Sequence, residues 1–197
     1  MASVRAALDE VEAARGPHAL VTTARGKFFS NGLDLDWLLS HAEQHQDYVV
    51  SVQQLFARVL ALPGTAVAAL QGHTFAAGAM LSLAHDIRVM RADRAFWCLP
   101  EADIDIPFTP GMSALIQARL APQPAHEAMT TARRYGGEAA LAAGIVDRSA
   151  ALDEVLPAAL EITRSHVGRA GPTLGTIKAR MHAPTLDLLR DTTSPLG

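Results

Sequence analysis

The sequence predicts a single α/β domain, and three observations support this fold class. Two apolar runs, at residues 19–23 and 65–70, have the length and composition of buried strands. Each run precedes a glycine-containing turn and then a segment with helical spacing. From residue 153 onward the spacing is helical, interrupted only at Gly171-Pro172 and Pro184. We therefore expect an α/β core over residues 1–150 and a helical region over residues 151–197.

Three helices are predicted around the first strand. Residues 1–15 place Val4, Leu8 and Val11 on one face of a helix, with charged residues on the other. Residues 34–45 predict a second helix, and residues 49–62 an amphipathic third helix that ends at a Pro-Gly pair. His41 and His45 have the spacing of metal ligands on one helix, but neither zinc-protease pattern is present. A solvated polar face is the favoured interpretation, and we predict no metal site.

The stretch over residues 65–101 organises the chain. Its strand is closed by Gln71-Gly72, and three small residues, AAG at residues 76–78, precede the helical run MLSLA. A helix should therefore begin near Gly78. Small residues at such a position leave backbone N–H groups accessible, and the helix dipole favours an anion or a developing oxyanion there. A tight turn without a ligand is the alternative. Further strands are predicted at residues 86–91 and from residue 94, and helices at residues 110–120, 122–134 and 138–143.

Composition excludes several classes of protein. Of the 197 residues, 49% are apolar and 19% are charged, which is typical of a globular protein and not of a disordered one. The net charge of −3 gives no basic surface for nucleic acid or an anionic membrane, and no apolar run is long enough to span a bilayer. The single cysteine, Cys98, fits a reducing compartment. A cytoplasmic protein without nucleic-acid or membrane partners is the expectation.

Common catalytic motifs are missing from the sequence. No G-x-S-x-G elbow is present, and Ser82 falls inside a predicted helix. Cys98 could be paired with His73 as a nucleophile, but no third group would orient them, and a small buried residue is the favoured interpretation of Cys98. The sequence contains neither a phosphate-binding loop nor a dinucleotide fingerprint, so no cofactor is predicted.

Three motifs together resemble the crotonase superfamily, the enoyl-CoA hydratases and isomerases. They are GKFFSNGLDL at residues 26–35, the segment at residues 72–88, and the segment at residues 100–111. The resemblance covers about residues 19–146 and is nearest to the plant-type Δ3-Δ2-enoyl-CoA isomerases. It implies a crotonase-like ββα spiral core that lacks the family's first strands, with a short strand at residues 144–147. It also implies a homotrimer or a dimer of trimers, assembled in part through residues 151–197.

The resemblance implies the residues of an acyl-CoA site. In the family, two backbone N–H groups bind the thioester oxygen and stabilise its enolate, and here they correspond to Leu33 and Ala77. Contacts with the CoA and the substrate are expected from Asn31, Gly32, Leu33, Asp34, Leu35, Ala77 and Pro100. An apolar pocket for the acyl group is expected from Met80, Trp97, Phe108 and Met112. Acyl-CoA is thus the expected substrate.

The acid–base positions favour one reaction. Family hydratases carry two carboxylates, and here the first position is Met80 while the second is Glu101. One carboxylate suits the transfer of a proton between two carbons, which is the requirement of a Δ3-Δ2-enoyl-CoA isomerase. Asp103 and Asp105 could compete with Glu101, because in a strand they would share its face. The alternatives are hydration or thioester hydrolysis within the family, and a truncated non-catalytic protein that binds acyl-CoA.

Overall fold

The computed structural model describes residues 2–193, which form two four-stranded sheets and ten α-helices. The strands are β1 (Ala19–Thr22), β2 (Phe28–Ser30), β3 (Thr65–Leu70), β4 (His73–Phe75), β5 (Ile87–Arg91), β6 (Phe96–Cys98), β7 (Tyr135–Gly136) and β8 (Arg148–Ala150). The helices are α1 (Ala2–Ala13), α2 (Leu35–Ser40), α3 (His45–Leu60), α4 (Ala77–Ala84), α5 (Pro110–Arg119), α6 (Pro122–Thr131), α7 (Gly137–Ala142), α8 (Leu152–His166), α9 (Pro172–Met181) and α10 (Ala183–Arg190). Met1 and residues 194–197, which the predictions included, lie outside the described residues.

The first sheet is parallel throughout and has the order β1-β3-β5-β8. Every residue of β3 is buried, because the strand is covered on both faces. Alternate residues such as Ala66 and Leu70 face the main core, whereas Val67 and Ala69 pack with a smaller cluster that includes Val155 of α8. Two covered faces explain why the strand is continuously apolar rather than alternating. The predicted buried strand is confirmed.

The second sheet has the order β2-β4-β6-β7, with only the last pair antiparallel. Its strands have two or three residues each, which is too short for a periodic signal in the sequence. The sequence reasoning therefore missed β2, β4 and β7. Because β4 leads directly into α4, this sheet fixes the position where that helix begins.

Two predicted elements were wrong. The helix predicted over residues 34–45 ends at Ser40, where His41 takes a non-helical conformation, so His41 and His45 do not share a helix. Residues 144–147 form a turn and loop, and the strand begins only at Arg148. Gly144 turns the chain with φ +68°, and the Asp147 carboxylate accepts a hydrogen bond from the Arg88 backbone N–H at 2.8 Å.

The C-terminal helices pack on the core of the same chain. Helix α8 covers the first sheet, and α10 packs against α5 and α3, with Leu186 and Leu189 in the main core. The breaks predicted at Gly171-Pro172 and Pro184 fall at the starts of α9 and α10. A role of this region in subunit contacts stays a prediction. In the described part of the chain, no helix is both long and apolar enough to cross a membrane.

Candidate active site

A cavity of about 230 Å³ lies between the N-terminus of α4 and the turn that follows β6. Residues from all three sequence motifs line it. They are Asn31, Leu33, Leu35, Phe75, Ala76, Ala77, Met80, Pro100, Glu101, Ile104, Ile106, Pro107, Phe108 and Met112. The lining is almost entirely apolar, so a polar group that enters it loses most of its contact with water.

The N-terminus of α4 opens onto this cavity without a side-chain cap. Its N-cap residue, Ala76, has φ 50° and ψ −126°, a conformation that non-glycine residues rarely adopt. Holding it costs about 1–3 kcal/mol. The Ala76 backbone N–H donates to the Cys98 carbonyl at 3.1 Å, which ties the strained residue to β6. The first backbone N–H groups of the helix, beginning with that of Ala77, have no partner within the helix and carry its positive partial charge.

Two glycines allow the loop after β2 to approach this helix end closely. Gly32 has φ +94°, and a Cβ atom on it would lie 2.8 Å from the Cβ of Ala76 and 3.5 Å from the Ala77 backbone nitrogen. A Cβ on Gly78 would overlap the side chain of Ser30. Only glycine avoids these contacts. Leu33, the residue after Gly32, is thereby held against the same cavity as Ala77.

Glu101 is the one ionisable side chain among the described residues that line the cavity. It is only 6% exposed, and its Oε2 atom has no hydrogen-bond partner within residues 2–193. Burial raises the pKa of Glu101 from 4.5 to about 7, against the opposing effect of a hydrogen bond from its own backbone. A carboxyl group with this pKa exchanges a proton readily near neutral pH.

The segment after Glu101 is a turn and not a strand. The backbone N–H groups of Asp103 and Ile104 donate to the Pro100 carbonyl at 2.9 and 3.2 Å, and that of Ile106 donates to the Glu101 carbonyl at 3.1 Å. The expectation that Asp103 and Asp105 share a strand face with Glu101 is therefore wrong. Both aspartates are exposed, and Asp105 borders a separate open depression of about 490 Å³ that Glu101 also borders.

Most of the other predicted site residues line the cavity, but Gly32, Asp34 and Trp97 are not among its lining residues. Asn31, Leu33, Leu35, Ala77, Met80, Pro100, Phe108 and Met112 all line it. Asp34 is exposed and instead caps α2, accepting a hydrogen bond from the Trp37 backbone N–H at 3.0 Å. Trp97 was wrongly predicted as a pocket residue: it is fully buried in the core, where its Nε1 donates to the Ser82 hydroxyl at 3.1 Å.

Sequence reasoning missed five residues of the lining. They are Phe75, Ala76, Ile104, Ile106 and Pro107. Ile104, Ile106 and Pro107, shortly after Glu101, could have indicated part of the pocket lining. Apolar side chains grouped in a short acidic segment are typical of a binding surface. The contribution of Phe75 depends on β4, which the sequence reasoning did not find.

The alternative nucleophile pair lies outside the cavity. The Cys98 thiol is buried and donates to the Ala132 carbonyl at 3.2 Å, and burial raises the pKa of Cys98 to about 11. The Nδ1 atom of His73 accepts a hydrogen bond from the Phe96 backbone N–H at 3.2 Å. A thiol with this pKa is a weak nucleophile at neutral pH. Within residues 2–193, no three His, Cys, Asp or Glu side chains converge where they could hold a metal ion.

The fold and this cavity define the class of protein. The chain belongs to the enoyl-CoA hydratase/isomerase family, whose model matches residues 1–193. Enoyl-CoA delta isomerase 3 of Arabidopsis thaliana is 41% identical over 137 residues, which cover 66% of this chain and 57% of that protein. The putative enoyl-CoA hydratase of Thermus thermophilus is 34% identical over 172 residues, covering 83% of this chain and 67% of that protein.

The solved structures agree with this membership. The crystal structure of a probable enoyl-CoA hydratase from Mycobacterium tuberculosis H37Rv matches with a TM-score of 0.88 at 30% identity, covering 96% of this chain and 80% of that chain. The predicted crotonase-like α/β fold and the predicted closeness to plant isomerases are confirmed. The chain spans less than two thirds of the length of the Arabidopsis relative, with 57% covered.

Proposed function

We propose that this protein is an enoyl-CoA isomerase that moves a double bond from the Δ3 to the Δ2 position of an acyl-CoA thioester. One observation carries the proposal. Glu101 is a single buried carboxyl group without a partner at Oε2 among the described residues, in an apolar cavity beside a free helix N-terminus. A lone base next to a site that favours negative charge suits a proton transfer through an enolate intermediate.

In the first step, ionised Glu101 removes a proton from C2 of the 3-enoyl thioester. The C2–H bond breaks, and its electron pair spreads over the diene and the thioester oxygen to give a dienolate. The backbone N–H groups of Leu33 and Ala77 donate to that oxygen, and the dipole of α4 adds to the stabilisation. Such a preorganised pair typically supplies a few kcal/mol of transition-state stabilisation.

In the second step, Glu101 returns the same proton to C4. A C4–H bond forms, the double bond settles between C2 and C3, and Glu101 is again ionised. Nothing is oxidised or reduced, so no further reactant is needed. The apolar lining supports the return of the same proton, because little water reaches the carboxyl group to exchange with it.

Met80 argues against hydration, the nearest alternative. It lines the cavity at the position that resembles the first carboxylate of hydratases, and a thioether neither donates nor removes a proton. Thioester hydrolysis lacks support because no hydroxyl or thiol side chain is among the described lining residues. The acyl-CoA substrate belongs to this proposal. A homotrimer or dimer of trimers and a cytoplasmic location remain predictions.

The test is an assay of products. Incubation of the protein with 3-hexenoyl-CoA should yield the 2-trans isomer, separated by chromatography, with no hydroxyacyl product. If 2-hexenoyl-CoA instead gives mainly 3-hydroxyhexanoyl-CoA, the protein is a hydratase and the proposal fails. If neither substrate changes while hexanoyl-CoA still binds in calorimetry, the chain is a non-catalytic acyl-CoA-binding protein.

A further inference from the structure

A buried glutamine supports one wall of the candidate active site. Gln53, on α3, is only 1% exposed, and its Oε1 atom accepts a hydrogen bond from the Thr109 hydroxyl at 2.8 Å. The same hydroxyl accepts a hydrogen bond from the Met112 backbone N–H at 3.1 Å and so caps α5. Thr109 therefore donates its hydroxyl proton to Gln53 and offers its oxygen to the first turn of α5, and these two bonds together fix its side-chain rotamer.

The residues on both sides of this cap face the cavity. Phe108 and Met112 line it together with Glu101. Gln53 is not among the lining residues, but its carboxamide lies so close to the first turn of α5 that a Cβ atom on Gly111 would overlap Oε1. A shift of the cap would therefore move two apolar side chains that enclose the carboxyl group.

Stability does not account for a glutamine at this position. The Nε2 atom of Gln53 is buried and has no hydrogen-bond partner within residues 2–193. A buried donor without a partner is destabilising, and an apolar side chain of similar size would avoid that cost. What the glutamine provides, and an apolar residue would not, is the acceptor for the Thr109 hydroxyl.

Resting on the proposed function, we propose that Gln53 is a positioning residue of the isomerase: through the Thr109 hydroxyl it holds the start of α5 and keeps Glu101 enclosed beside the reacting carbons. Gln53 contacts neither the substrate nor the base. When its hydrogen bond is lost, the cap loosens, Phe108 and Met112 shift, and water reaches the carboxyl group. The base is then misaligned with C2 and C4, and a misplacement of about 1 Å can lower a rate about 10²-fold.

The experiment removes each half of the hydrogen bond with little change in side-chain size. Gln53→Met and Thr109→Val should each lower kcat for 3-hexenoyl-CoA about tenfold or more. KM should stay within about threefold, because in the proposed mechanism the backbone donors at the start of α4 hold the thioester. The double variant should be no slower than the slower single variant, since both substitutions break the same interaction.

Two further variants serve as controls. Thr109→Ser keeps the hydroxyl group and should retain kcat within about twofold of wild type. Gln54 is the exposed neighbour of Gln53 on α3, so Gln54→Met is the matched substitution at a site without this hydrogen bond. It should match the wild type in kcat and KM.

The pH profile separates a positioning role from a general loss of structure. Burial raises the pKa of Glu101 to about 7, so wild-type kcat/KM should rise with pH through that value as the base ionises. Water admitted by Gln53→Met lowers this pKa, so the rise should move toward lower pH by about half a unit or more. The urea midpoint should change little, because the substitution also removes the unpartnered donor.

Each outcome separates this inference from the proposed reaction. A folded Gln53→Met variant with wild-type kcat and pH profile overturns the inference and leaves the isomerase proposal standing. Additive effects in the double variant do the same, because Gln53 then does not act through Thr109. If Gln53→Met does not fold, Thr109→Val and Thr109→Ser decide. A lower kcat and a shifted profile in the valine variant alone support the inference, and equal kcat values in the two overturn it.

A titration replaces the kinetics if the wild type isomerises no substrate. Carbon-13 NMR then follows the Glu101 carboxyl group, assigned with Glu101→Gln, in the wild type and in Gln53→Met. A lower pKa in Gln53→Met, but not in Gln54→Met, supports the role of Gln53 in enclosing Glu101 although the reaction is wrong. Equal pKa values in all three proteins overturn it.

Discussion

The two ends of α4 have opposite environments. At the C-terminal end, the Arg119 guanidinium donates to the carbonyls of Leu83, His85 and Asp86 at 2.9, 2.8 and 3.1 Å. A cation thus satisfies the backbone acceptors and complements the negative end of the dipole. At the N-terminal end, Ala76 offers no capping side chain, and the backbone donors face a cavity. One end of the helix is anchored, and the other is available to a ligand.

Two carboxylates show the same contrast. Asp86 Oδ2 accepts from the Ala66 backbone N–H at 2.7 Å and from Lys178 Nζ at 2.6 Å. Glu101 Oε2 has no partner among the described residues. A carboxylate with complete hydrogen bonds holds elements together, in this case α9 and the first sheet. A buried carboxyl group without them keeps its capacity to exchange a proton.

Removal of the base at the ligand end should have the largest effect. Glu101→Gln keeps the size and polarity of the side chain but removes the base, so kcat for isomerisation should fall about 10²–10⁴-fold or more. KM should change little, because in the proposed mechanism the backbone donors at Leu33 and Ala77 hold the thioester. Steady-state kinetics with 3-hexenoyl-CoA measure both constants.

Asp103→Asn and Asp105→Asn are the controls for this substitution. Both aspartates are exposed and lie outside the cavity, so each variant should retain wild-type kcat. Suppose that Asp105→Asn is inactive while Glu101→Gln keeps kcat within about tenfold of wild type. Asp105, and not Glu101, would then be the base.

Removal of Lys178, the partner of Asp86, should affect stability instead of catalysis. Lys178→Met leaves Asp86 without its cation, and loss of one partner of a buried ion pair costs about 3–5 kcal/mol. The Asp86 side chain is 30% exposed, so we expect the lower end, about 3 kcal/mol, in the free energy of unfolding. Urea denaturation measures this. Lys27→Met, at the chain's other and exposed lysine, should lie within about 0.5 kcal/mol of wild type.

The pH dependence of stability gives a smaller effect at Glu101. Its pKa is raised from 4.5 to about 7 by burial, so the folded protein keeps a proton that the unfolded chain has lost between these values. Wild-type stability should therefore fall across this window, by at most about 1.4 kcal/mol for each pH unit, and level off above it. Glu101→Gln lacks this decline, so its unfolding free energy should exceed that of wild type at pH 8 and not at pH 4. Parallel stability curves for the two proteins would contradict the raised pKa.

The sequence predicted the features that depend on composition over several residues. A strand covered on both faces leaves a continuous apolar run, and small residues mark the start of α4, which begins at Ala77, one residue from the prediction. Most of the residues that the family motifs indicated as site residues lie around one cavity. Glu101, Met80, Leu33 and Ala77 line one cavity although up to 68 positions separate them in sequence.

Features that depend on tertiary contacts escaped prediction. Strands of two or three residues carry no period, so β2, β4 and β7 of the second sheet were missed, and with them the contribution of Phe75. The turn after Glu101 is set by two hydrogen bonds to the Pro100 carbonyl, and the alternating acids of this segment had suggested a strand. Trp97 is apolar and adjacent in sequence to the site, but its side chain points to Ser82 in the core. Sequence distance from a motif does not determine which way a side chain points.

The close contact between β2 and α4 limits how this site can diversify. Gly32 lies so close to Ala76, and Gly78 so close to Ser30, that a larger residue at either glycine requires a change in its neighbour. Substitutions among these four positions should therefore be strongly epistatic, and single-site libraries at them should contain mostly inactive members.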